Sequence, residues 1–480
     1  MFYLLPRMRE ADAADARIAR LVAGLAERDY DAVTQCFREL AAGLPLRRRF
    51  AVDAVSSITQ TAGASFTGGR SSPVYGVACS GSDGARRFIV KIARGGSSVR
   101  LFHSYVVESR FYSKGYAAAL RVEQLALPRL LAFGTCPTSP PLPAEQCDRL
   151  LSSVDQATTF CFVMRDLTSG AAPFPEHSDR SLTAQQARAA VAYLGRWHAT
   201  QWALGHDSAV DLWPAGAFWS HAVTPPTASV VSSATAAASM WAPSLRYIAR
   251  ADRELLDRSP SVRALGRRLL AARGVLDRFL STGQLASASG SAGKKGGGKA
   301  RLLAETTVVH GDFKAANMFF QTQHSDDDDS DRACAACDFQ FVGPGLGARD
   351  LAYFLCWDHF AEAGPLIAAY VAALHRGLAQ REINAAAALE PGGARSPAAR
   401  SRAMAVLSRD AATLCQRHGA ASATLHVGLA FAAFFSYHLL TRGFVCSTEG
   451  DIELVARVDA VSLCHVLVYR LYCVRMLITA

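Results

Sequence analysis

Two short polar clusters, each flanked by apolar residues, constrain the fold of this chain most. The first reads H-G-D-F-K-A-A-N over residues 310–317, and the second reads D-F-Q over residues 338–340. Apolar runs of this length on both sides of a polar cluster are typical of β-strands joined by turns. The sequence therefore predicts a short β-hairpin over residues 307–320 and 332–341, set within a region that is otherwise helical.

Three oxygen-bearing side chains in these clusters meet the needs of phosphoryl transfer: Asp312, Asn317 and Asp338. A triphosphate carries dense negative charge, so a protein catalyses its transfer mainly by positioning groups and stabilising charge. We predict that Asp312 orients an acceptor hydroxyl and accepts its proton. Because Mg²⁺ prefers oxygen ligands, Asn317 and Asp338 are predicted to hold it against the phosphates of ATP. The alternative is a hairpin that carries polar turn residues by chance.

The rest of the chain divides into a region of strands and a longer region of helices. Five strands are predicted in the first region, over residues 56–61, 73–79, 87–92, 125–133 and 158–164. Turn residues separate the first three, so these should form an antiparallel meander. A helix is predicted over residues 99–113, ended by Gly115. Helices predominate after Leu167, and one of them is predicted over residues 184–202, opening after Thr183. The predicted fold class is α+β, with a small antiparallel-sheet lobe and a large, mainly helical lobe.

The predicted boundaries give an N-terminal helical extension over residues 1–50, a small lobe over 51–164 and a large lobe over 165–480. Two inserts interrupt the large lobe. The one near residues 286–300 is rich in Gly, Ser and Lys, and the one near 324–332 contains four consecutive aspartates. Both compositions are typical of solvated loops.

The spacing H-G-D-x-x-x-x-N followed by D-F-Q resembles the catalytic signature of the aminoglycoside phosphotransferase and choline kinase superfamily. It is most similar to the branch of CHK-kinase-like or ecdysteroid-kinase-like proteins, and the resemblance covers roughly residues 56–380. It implies a bilobal protein-kinase-like fold that transfers the γ-phosphate of ATP, with Mg²⁺, to a hydroxyl group of a small molecule. It also places Asp312 on the family's catalytic aspartate, and Asn317 and Asp338 on its two metal ligands.

Further residues of the ATP site are expected in the small lobe. Lys91 lies in the apolar strand F-I-V-K-I-A, where a buried ammonium needs an anionic partner. Glu108 follows in a segment similar to the family's F-x-x-E-x-x-F-Y-type helix, which implies that Glu108 pairs with Lys91 and that Lys91 contacts the phosphates. Gly68 and Gly69 precede the second strand, where small residues let backbone N–H groups approach phosphate. A solvent-reaching lysine, a surface glutamate and an ordinary hairpin turn are the alternatives.

Three other positions resemble supporting parts of the family, and a fourth differs from the protein kinases. Residues 160–167 resemble the hinge between the lobes, with Arg165 where many relatives carry Glu. His198, in a helix similar to L-A-x-x-H-A, is interpreted as structural rather than as a base. Asp350 opens a D-L-A-Y-F-L helix and is expected to brace the catalytic loop. Gly311 replaces the arginine of the protein-kinase H-R-D motif, which argues against switching by a phosphorylated activation loop.

Only nine residues, 341–349, separate D-F-Q from Asp350. That length leaves no room for a peptide-docking activation segment, so a small-molecule acceptor is favoured over a protein. A nucleotide-binding pseudokinase that serves as regulator or scaffold is the alternative function. Such a protein would be expected to have lost one of the groups that bind ATP or catalyse transfer, and all four key groups are present: Lys91, Asp312, Asn317 and Asp338. The acceptor and the oligomeric state cannot be predicted from the sequence.

Composition narrows the classes of protein and of binding partner that remain. Half of the 480 residues are hydrophobic and 19% are charged, as in globular proteins. The net charge of +10 suits an anionic ligand, but no basic patch is interleaved with aromatics, so no nucleic acid partner is expected.

Neither a secretory leader nor a membrane span is expected. The apolar start is too short for a signal peptide, and the unbroken apolar core within residues 425–440 is too short to cross a bilayer. The 12 cysteines follow no disulfide framework, which predicts reduced thiols and a cytoplasmic location. Cys334 and Cys337 form one CxxC pair without the second pair that a zinc site needs.

Overall fold

The computed structural model describes residues 12–43, 50–61, 73–82, 84–94, 99–137, 158–169, 173–177, 182–202, 209, 211–220, 234–258, 260–282, 306–322, 333–358, 363–388, 427 and 430. Several predicted features lie outside these residues. They are the Gly68 and Gly69 turn, the two inserts near 286–300 and 324–332, and nearly all of the chain after residue 388.

A five-stranded antiparallel sheet forms the small lobe. Its strands are β1 (Ala54–Thr61), β2 (Val74–Ser80), β3 (Arg86–Arg94), β4 (Leu130–Pro137) and β5 (Thr158–Arg165). Their order in the sheet is β1-β2-β3-β5-β4. The predicted meander of the first three strands is confirmed, and so is the α+β arrangement with its antiparallel small lobe and mainly helical large lobe.

The fourth strand begins later than predicted. Residues 125–129 were expected in it, but β4 starts at Leu130. Pro128 has no N–H group for a sheet ladder, so the strand cannot extend back through it. Ala126 instead forms an isolated bridge to Ala335 of the large lobe.

The two faces of the sheet bury different partners, because successive strand residues point to opposite sides. Phe88, Val90 and Ile92 of β3 belong to a core shared with helices α1 (Asp12–Glu27) and α2 (Tyr30–Gly43). Ala93 and the facing Phe160 of β5 belong instead to a core shared with helix α3 (Val99–Ser113) and the large lobe. Lys91 has the same parity as Ala93, so the alternation directs its side chain toward the large lobe.

Two helices join β3 to β4. Helix α3 (Val99–Ser113) matches the predicted helix, and α4 (Tyr116–Val122) follows it after Gly115. Helix α4 was not predicted from the sequence. Its buried residues, Tyr116, Ala117 and Leu120, pack into the same core as α3.

The described part of the large lobe is built around two long helices, α5 (Ala184–Thr200) and α11 (Ala363–Ala388). The Thr183 hydroxyl accepts a hydrogen bond from the backbone N–H of Gln186, and Gln186 Oε1 accepts one from the backbone N–H of Thr183, so a capping box starts α5 where predicted. The other helices are α6 (Ala234–Ala251), α7 (Arg253–Arg258), α8 (Pro260–Arg263), α9 (Leu265–Thr282) and α10 (Ala348–Asp358).

Short strands carry the two polar clusters. Strand β8 (Met318–Phe320) pairs with β9 (Cys334–Ala336) and with β6 (Glu176–His177), while β7 (Thr307–Val309) pairs with β10 (Gly343–Gly345). The predicted hairpin is thus present as β8–β9, but its second strand was expected to run to Phe341 and ends at Ala336. Asp338 has φ +67, a left-handed conformation that stops an extended strand.

No helix in the described ranges is both long and apolar enough to cross a membrane. The cysteines that the structure describes are free thiols, Cys334 and Cys337 among them. No group of His, Cys, Asp and Glu side chains suited to a metal ion occurs in this part of the chain.

Candidate active site

Lys91 joins the two lobes through an ion pair on each side. Its Nζ lies 2.8 Å from Glu108 Oε2 on α3 and 2.6 Å from Asp338 Oδ1 in the large lobe. The side chain of Glu108 is 1% exposed, whereas that of Asp338 is 25% exposed. The structure therefore brings three sequence-predicted residues together, and only the carboxylate of Asp338 opens appreciably to solvent.

The loop between β7 and β8 arranges Asp312 and Asn317. A short 3₁₀ turn over Ala315–Asn317 folds the chain back, so that Asn317 Nδ2 donates to the carbonyl of Asp312 at 2.8 Å and to its Oδ2 at 3.2 Å. The same Oδ2 lies 2.9 Å from Lys314 Nζ. Asp312 is buried, with an amide and an ammonium both directed at one carboxylate oxygen.

Two hydrogen bonds connect this loop to the segment that carries Asp338. The backbone N–H of Cys337 donates to the carbonyl of Asn317 at 3.0 Å, and His310 Nε2 lies 3.0 Å from the carbonyl of Cys337. His310 Nδ1 accepts from the N–H of Asp312, so the ring proton is on Nε2, which donates. Burial lowers the pKa of His310, in keeping with a neutral ring.

Asp350 braces the backbone of the loop that carries Asp312. Its Oδ2 accepts from the N–H of His310 at 2.6 Å, and its Oδ1 accepts from the N–H of Gly311 at 2.8 Å. His198 Nε2 lies 3.2 Å from Oδ2, and Tyr370 Oη lies 2.9 Å from His198 Nδ1. His198 is fully buried and has no direct contact with Asp312 among the hydrogen bonds of the described residues, so it is placed for support.

The local electrostatics shift the pKa values of Asp312 and Asp338 in opposite directions. Burial alone would raise the pKa of Asp338, but the ammonium of Lys91 outweighs it, and the pKa is lowered. Burial raises the pKa of Asp312, and Lys314 only partly offsets this effect. Burial alone would lower the pKa of Lys91, whereas Asp338 and Glu108 raise it. Asp338 is thereby held as a carboxylate and Lys91 as an ammonium, while Asp312 has the greater proton affinity of the two aspartates.

An aromatic stack supports this charged cluster from behind. The ring of Phe339, between Asp338 and Gln340, lies 4.3 Å from the ring of Phe111 on α3 and 5.5 Å from that of Trp197 on α5. Phe339 is fully buried. The residue next to Asp338 thus anchors the segment against helices of both lobes.

Three contributors to the site were missed in the sequence analysis. Lys314 lies inside the quoted H-G-D-F-K-A-A-N motif, two residues after Asp312, so its proximity could have been inferred. Gln340 belongs to D-F-Q, and its Nε2 donates to Asp338 Oδ2 at 3.2 Å. Trp213, whose indole Nε1 donates to the carbonyl of Gln340 at 2.9 Å, carries no local sequence signal. Arg165 of the predicted hinge ends β5 with an exposed side chain.

No protein-family model and no curated protein matches the sequence. Among solved structures, 46 chains match, and they include two phosphotransferases of low similarity to this chain. An aminoglycoside-3'-phosphotransferase of type VIII is 20% identical over 67% of this chain and 86% of its own, with a TM-score of 0.32. The macrolide 2'-phosphotransferase MphH from Brachybacterium faecium, as apoenzyme, is 13% identical over 84% of this chain and 97% of its own, with a TM-score of 0.34. Scores this low carry no argument about function, which has to rest on the geometry of the site.

Proposed function

We propose that this chain is an ATP- and Mg²⁺-dependent phosphotransferase that adds the γ-phosphate of ATP to a hydroxyl group of a small molecule. The contact between Lys91 of the small lobe and Asp338 of the large lobe carries the proposal. It brings a cation suited to phosphates within 2.6 Å of a carboxylate suited to a metal ion. The hydrogen-bonded pair Asp312 and Asn317 lies in the adjoining loop, one backbone hydrogen bond away.

The donor atoms fit Mg²⁺, which takes oxygen ligands and keeps several of its waters. Within the described residues, Asn317 uses Nδ2 in its side-chain hydrogen bonds, which leaves Oδ1 for an ion. Asp338 offers a half-buried carboxylate that Lys91 and Gln340 hold in place. These two residues would hold Mg²⁺, which would shield the negative charge of the phosphates.

The proposed reaction balances without any further reactant. The oxygen of the acceptor hydroxyl forms a bond to the γ-phosphorus, and the bond from that phosphorus to the β–γ bridging oxygen breaks to release ADP. Asp312 orients the hydroxyl and takes its proton, for which its raised pKa is an advantage. Lys91 stabilises the phosphates, and Lys314 favours the carboxylate form of Asp312 before transfer.

A small molecule is the proposed acceptor because the segment after D-F-Q is fully used by the fold. Residues 341–349 are all buried, and they contain β10 and the start of α10. A peptide therefore finds no exposed platform in these residues. Membership of the aminoglycoside phosphotransferase and choline kinase superfamily, the CHK-kinase-like branch and a cytoplasmic location stay predictions from the sequence. So does the contribution of Gly68 and Gly69 to phosphate binding.

The test combines a substrate screen with one substitution. Release of ADP from ATP and Mg²⁺ is measured against a panel of hydroxylated metabolites, with ³¹P NMR to detect the phosphorylated product. Asp312→Asn should lower turnover by about 100-fold or more, since it removes the proton acceptor, while ATP binding by calorimetry persists. The control is Asp252→Asn, because Asp252 caps α7 by accepting from the N–H of Leu255, a function that Asn retains.

Two outcomes would contradict the proposal. Turnover of Asp312→Asn equal to that of the wild type would remove Asp312 from its role. A wild-type protein that binds ATP yet phosphorylates nothing, even water, would instead support the regulator or scaffold function.

A further inference from the structure

Trp213 lies where α3, the D-F-Q segment and the catalytic loop meet. It belongs to residues 211–220, in which the N–H of Phe218 donates to the carbonyl of Gly311 at 3.2 Å. Trp213 is 6% exposed. Its backbone N–H donates to the carbonyl of Val342 at 3.1 Å, and its indole Nε1 donates to the carbonyl of Gln340 at 2.9 Å. Both hydrogen bonds fix the backbone just after Asp338.

The same indole contacts the small lobe. The ring of His103, on α3, lies 4.3 Å from the ring of Trp213 at an interplanar angle of 71°. This edge-to-face arrangement is the favoured one for aromatic pairs. One turn earlier on α3, the guanidinium of Arg100 lies 6.0 Å from the centre of the Phe341 ring. The first two turns of α3 thus rest on the segment that Trp213 holds.

These contacts form a closed circuit of contacting residues, called the ring, which reaches both oxygens of the Asp338 carboxylate. On one side, Trp213 holds the backbone of Gln340, whose Nε2 donates to Asp338 Oδ2 at 3.2 Å. On the other side, Glu108 of α3 pairs with Lys91, which pairs with Asp338 Oδ1 at 2.6 Å. His103 completes the ring, because it lies on the same helix as Glu108.

Asp338 needs such support from its surroundings. Its φ of +67 is a left-handed conformation, which costs a residue with a Cβ atom free energy relative to the usual regions. A carboxylate in this conformation keeps its direction only if neighbouring groups hold both the backbone and the two oxygens. Gln340 and Lys91 hold the oxygens, and Trp213 holds the backbone that follows.

We propose that Trp213 is a positioning residue that couples α3 to the metal-binding segment by closing this ring around Asp338. The role of Asp338 toward Mg²⁺ rests on the proposed function, whereas the ring itself is a property of the ligand-free protein. Breaking the ring at Trp213 should therefore loosen α3 and misdirect Asp338, as breaking it at Glu108 should. An ordinary core tryptophan would lower stability without either effect.

The chain offers a matched control in Trp241. This residue is 1% exposed, and its indole Nε1 donates to the carbonyl of Val262 at 2.8 Å. Trp241→Phe therefore loses the same kind of buried hydrogen bond and the same side-chain volume as Trp213→Phe, but in helices α6 and α8. A comparison at equal loss of stability separates positioning from packing.

The first measurement needs no nucleotide. Hydrogen exchange of the backbone amides of α3 is followed in the full chain, for the wild type, Trp213→Phe, Glu108→Gln and Trp241→Phe. We expect exchange of α3 to be about 5- to 30-fold faster in the first two variants, the factor for one lost interaction of this kind. Trp241→Phe should leave it unchanged. Equal exchange of α3 in Trp213→Phe and Trp241→Phe would overturn the proposal.

The second measurement tests coupling through Asp338. Affinity for ATP with Mg²⁺ is measured by calorimetry for Glu108→Gln, Trp213→Phe and the double variant. If both residues act through one ring, the double variant should bind no more weakly than the weaker single variant. Independent residues would instead multiply their effects, and a multiplied loss would overturn the coupling. If the wild type bound no ATP, the proposed function would fail, while hydrogen exchange would still decide whether the ring exists.

Discussion

At the scale of single residues, Gly311 determines how the neighbouring Asp312 is presented. It has φ +85 in the structure. Its N–H donates to Asp350, and its carbonyl accepts from the N–H of Phe218. A Cβ at this position would collide with the carbonyl of Phe341 and would meet the backbone N of Ala217 at 2.8 Å. Any larger residue would have to displace the segment that follows Asp338.

We therefore expect Gly311→Ala to lower the free energy of unfolding by more than about 2 kcal/mol, the left-handed backbone alone accounting for about 1–2 kcal/mol. Gly115→Ala is the control, because Gly115 has φ +97 and a Cβ there would meet nothing within 4 Å. Urea unfolding of both variants gives the comparison. Equal losses of unfolding free energy in the two variants would show that the segment around Phe341 can shift at little cost.

Lys314 is the second residue whose effect can be isolated. Its Nζ lies 2.9 Å from Asp312 Oδ2, and Lys314 lowers the pKa of Asp312. Lys314→Met should reduce turnover by about 10- to 100-fold, because one charged group directed at the reacting centre is lost. Lys314→Arg, which keeps the charge, should retain more activity. Steady-state turnover at saturating ATP is the measurement, and equal rates for Met and Arg would refute the electrostatic role.

The sequence predicted which residues form the site better than it predicted how they are held. Asp312 and Asn317 could be identified because their spacing reflects a local turn, and Asp338 because it ends the partner segment of the predicted hairpin. Lys91 could be identified because a buried ammonium requires an anion, and Glu108 because its segment resembles the family's helix. The contact from Trp213 to Gln340 spans 127 positions of the chain. It depends on how residues 211–220 cross the D-F-Q segment, and no local pattern records that.

At the scale of secondary structure, α3 (Val99–Ser113) is the element that both lobes share. Glu108 faces Lys91 of the sheet, and His103 packs against Trp213 of the large lobe. Burial lowers the pKa of His103 from 6.5 to about 4, and Arg110 adds to this shift. The ring is therefore neutral at physiological pH.

This shift makes stability depend on pH. Between about pH 6.5 and pH 4 the unfolded chain binds a proton at His103 and the folded chain does not. The contribution of His103 to the free energy of unfolding is thus complete above about pH 6.5 and is lost as the pH falls toward 4. One such group changes the free energy of unfolding by at most about 1.4 kcal/mol per pH unit. His103→Phe keeps an aromatic ring but binds no proton, so it should flatten the dependence. Urea unfolding from about pH 7 to pH 5 measures it, and parallel curves would contradict the shift.

Elements with explicit end signals were predicted well, and those without were not. Helix α5 begins after Thr183 because Thr183 and Gln186 form a capping box at its first turn. The start of β4 was predicted too early because Pro128 was read as part of a strand. Helix α4 (Tyr116–Val122) was missed because it begins directly after Gly115, which marked an end.

At the scale of the whole molecule, α1 and α2 cover one face of the small lobe. The ring of Phe37 on α2 lies 5.0 Å from the ring of Phe88 on β3. Both rings are buried in one core that joins these helices to the sheet. The hydrophobic effect therefore ties residues 12–43 to the sheet that carries Lys91, although a boundary near residue 50 stays a prediction.

Phe37→Ala should lower the free energy of unfolding by about 3–5 kcal/mol, the usual cost of truncating a buried Phe. Tyr30→Ala on the same helix is the control, because Tyr30 is 41% exposed; it should change stability by about 0.5 kcal/mol or less. Chemical unfolding monitored by circular dichroism gives both values. A small effect of Phe37→Ala would mean that the sheet keeps its core without α2.

The ion pair between Lys91 and Asp338 has a consequence for how tightly any nucleotide can be held. An ammonium that already neutralises a carboxylate from each lobe must give up part of that attraction before a phosphate can use it. The Asp338 carboxylate thus competes with phosphate for Lys91. Because it belongs to the same chain, its local concentration at the ammonium is always high. Under the proposed function, the affinity for ATP would be lower than its own contacts provide, and release of ADP after each transfer would be favoured.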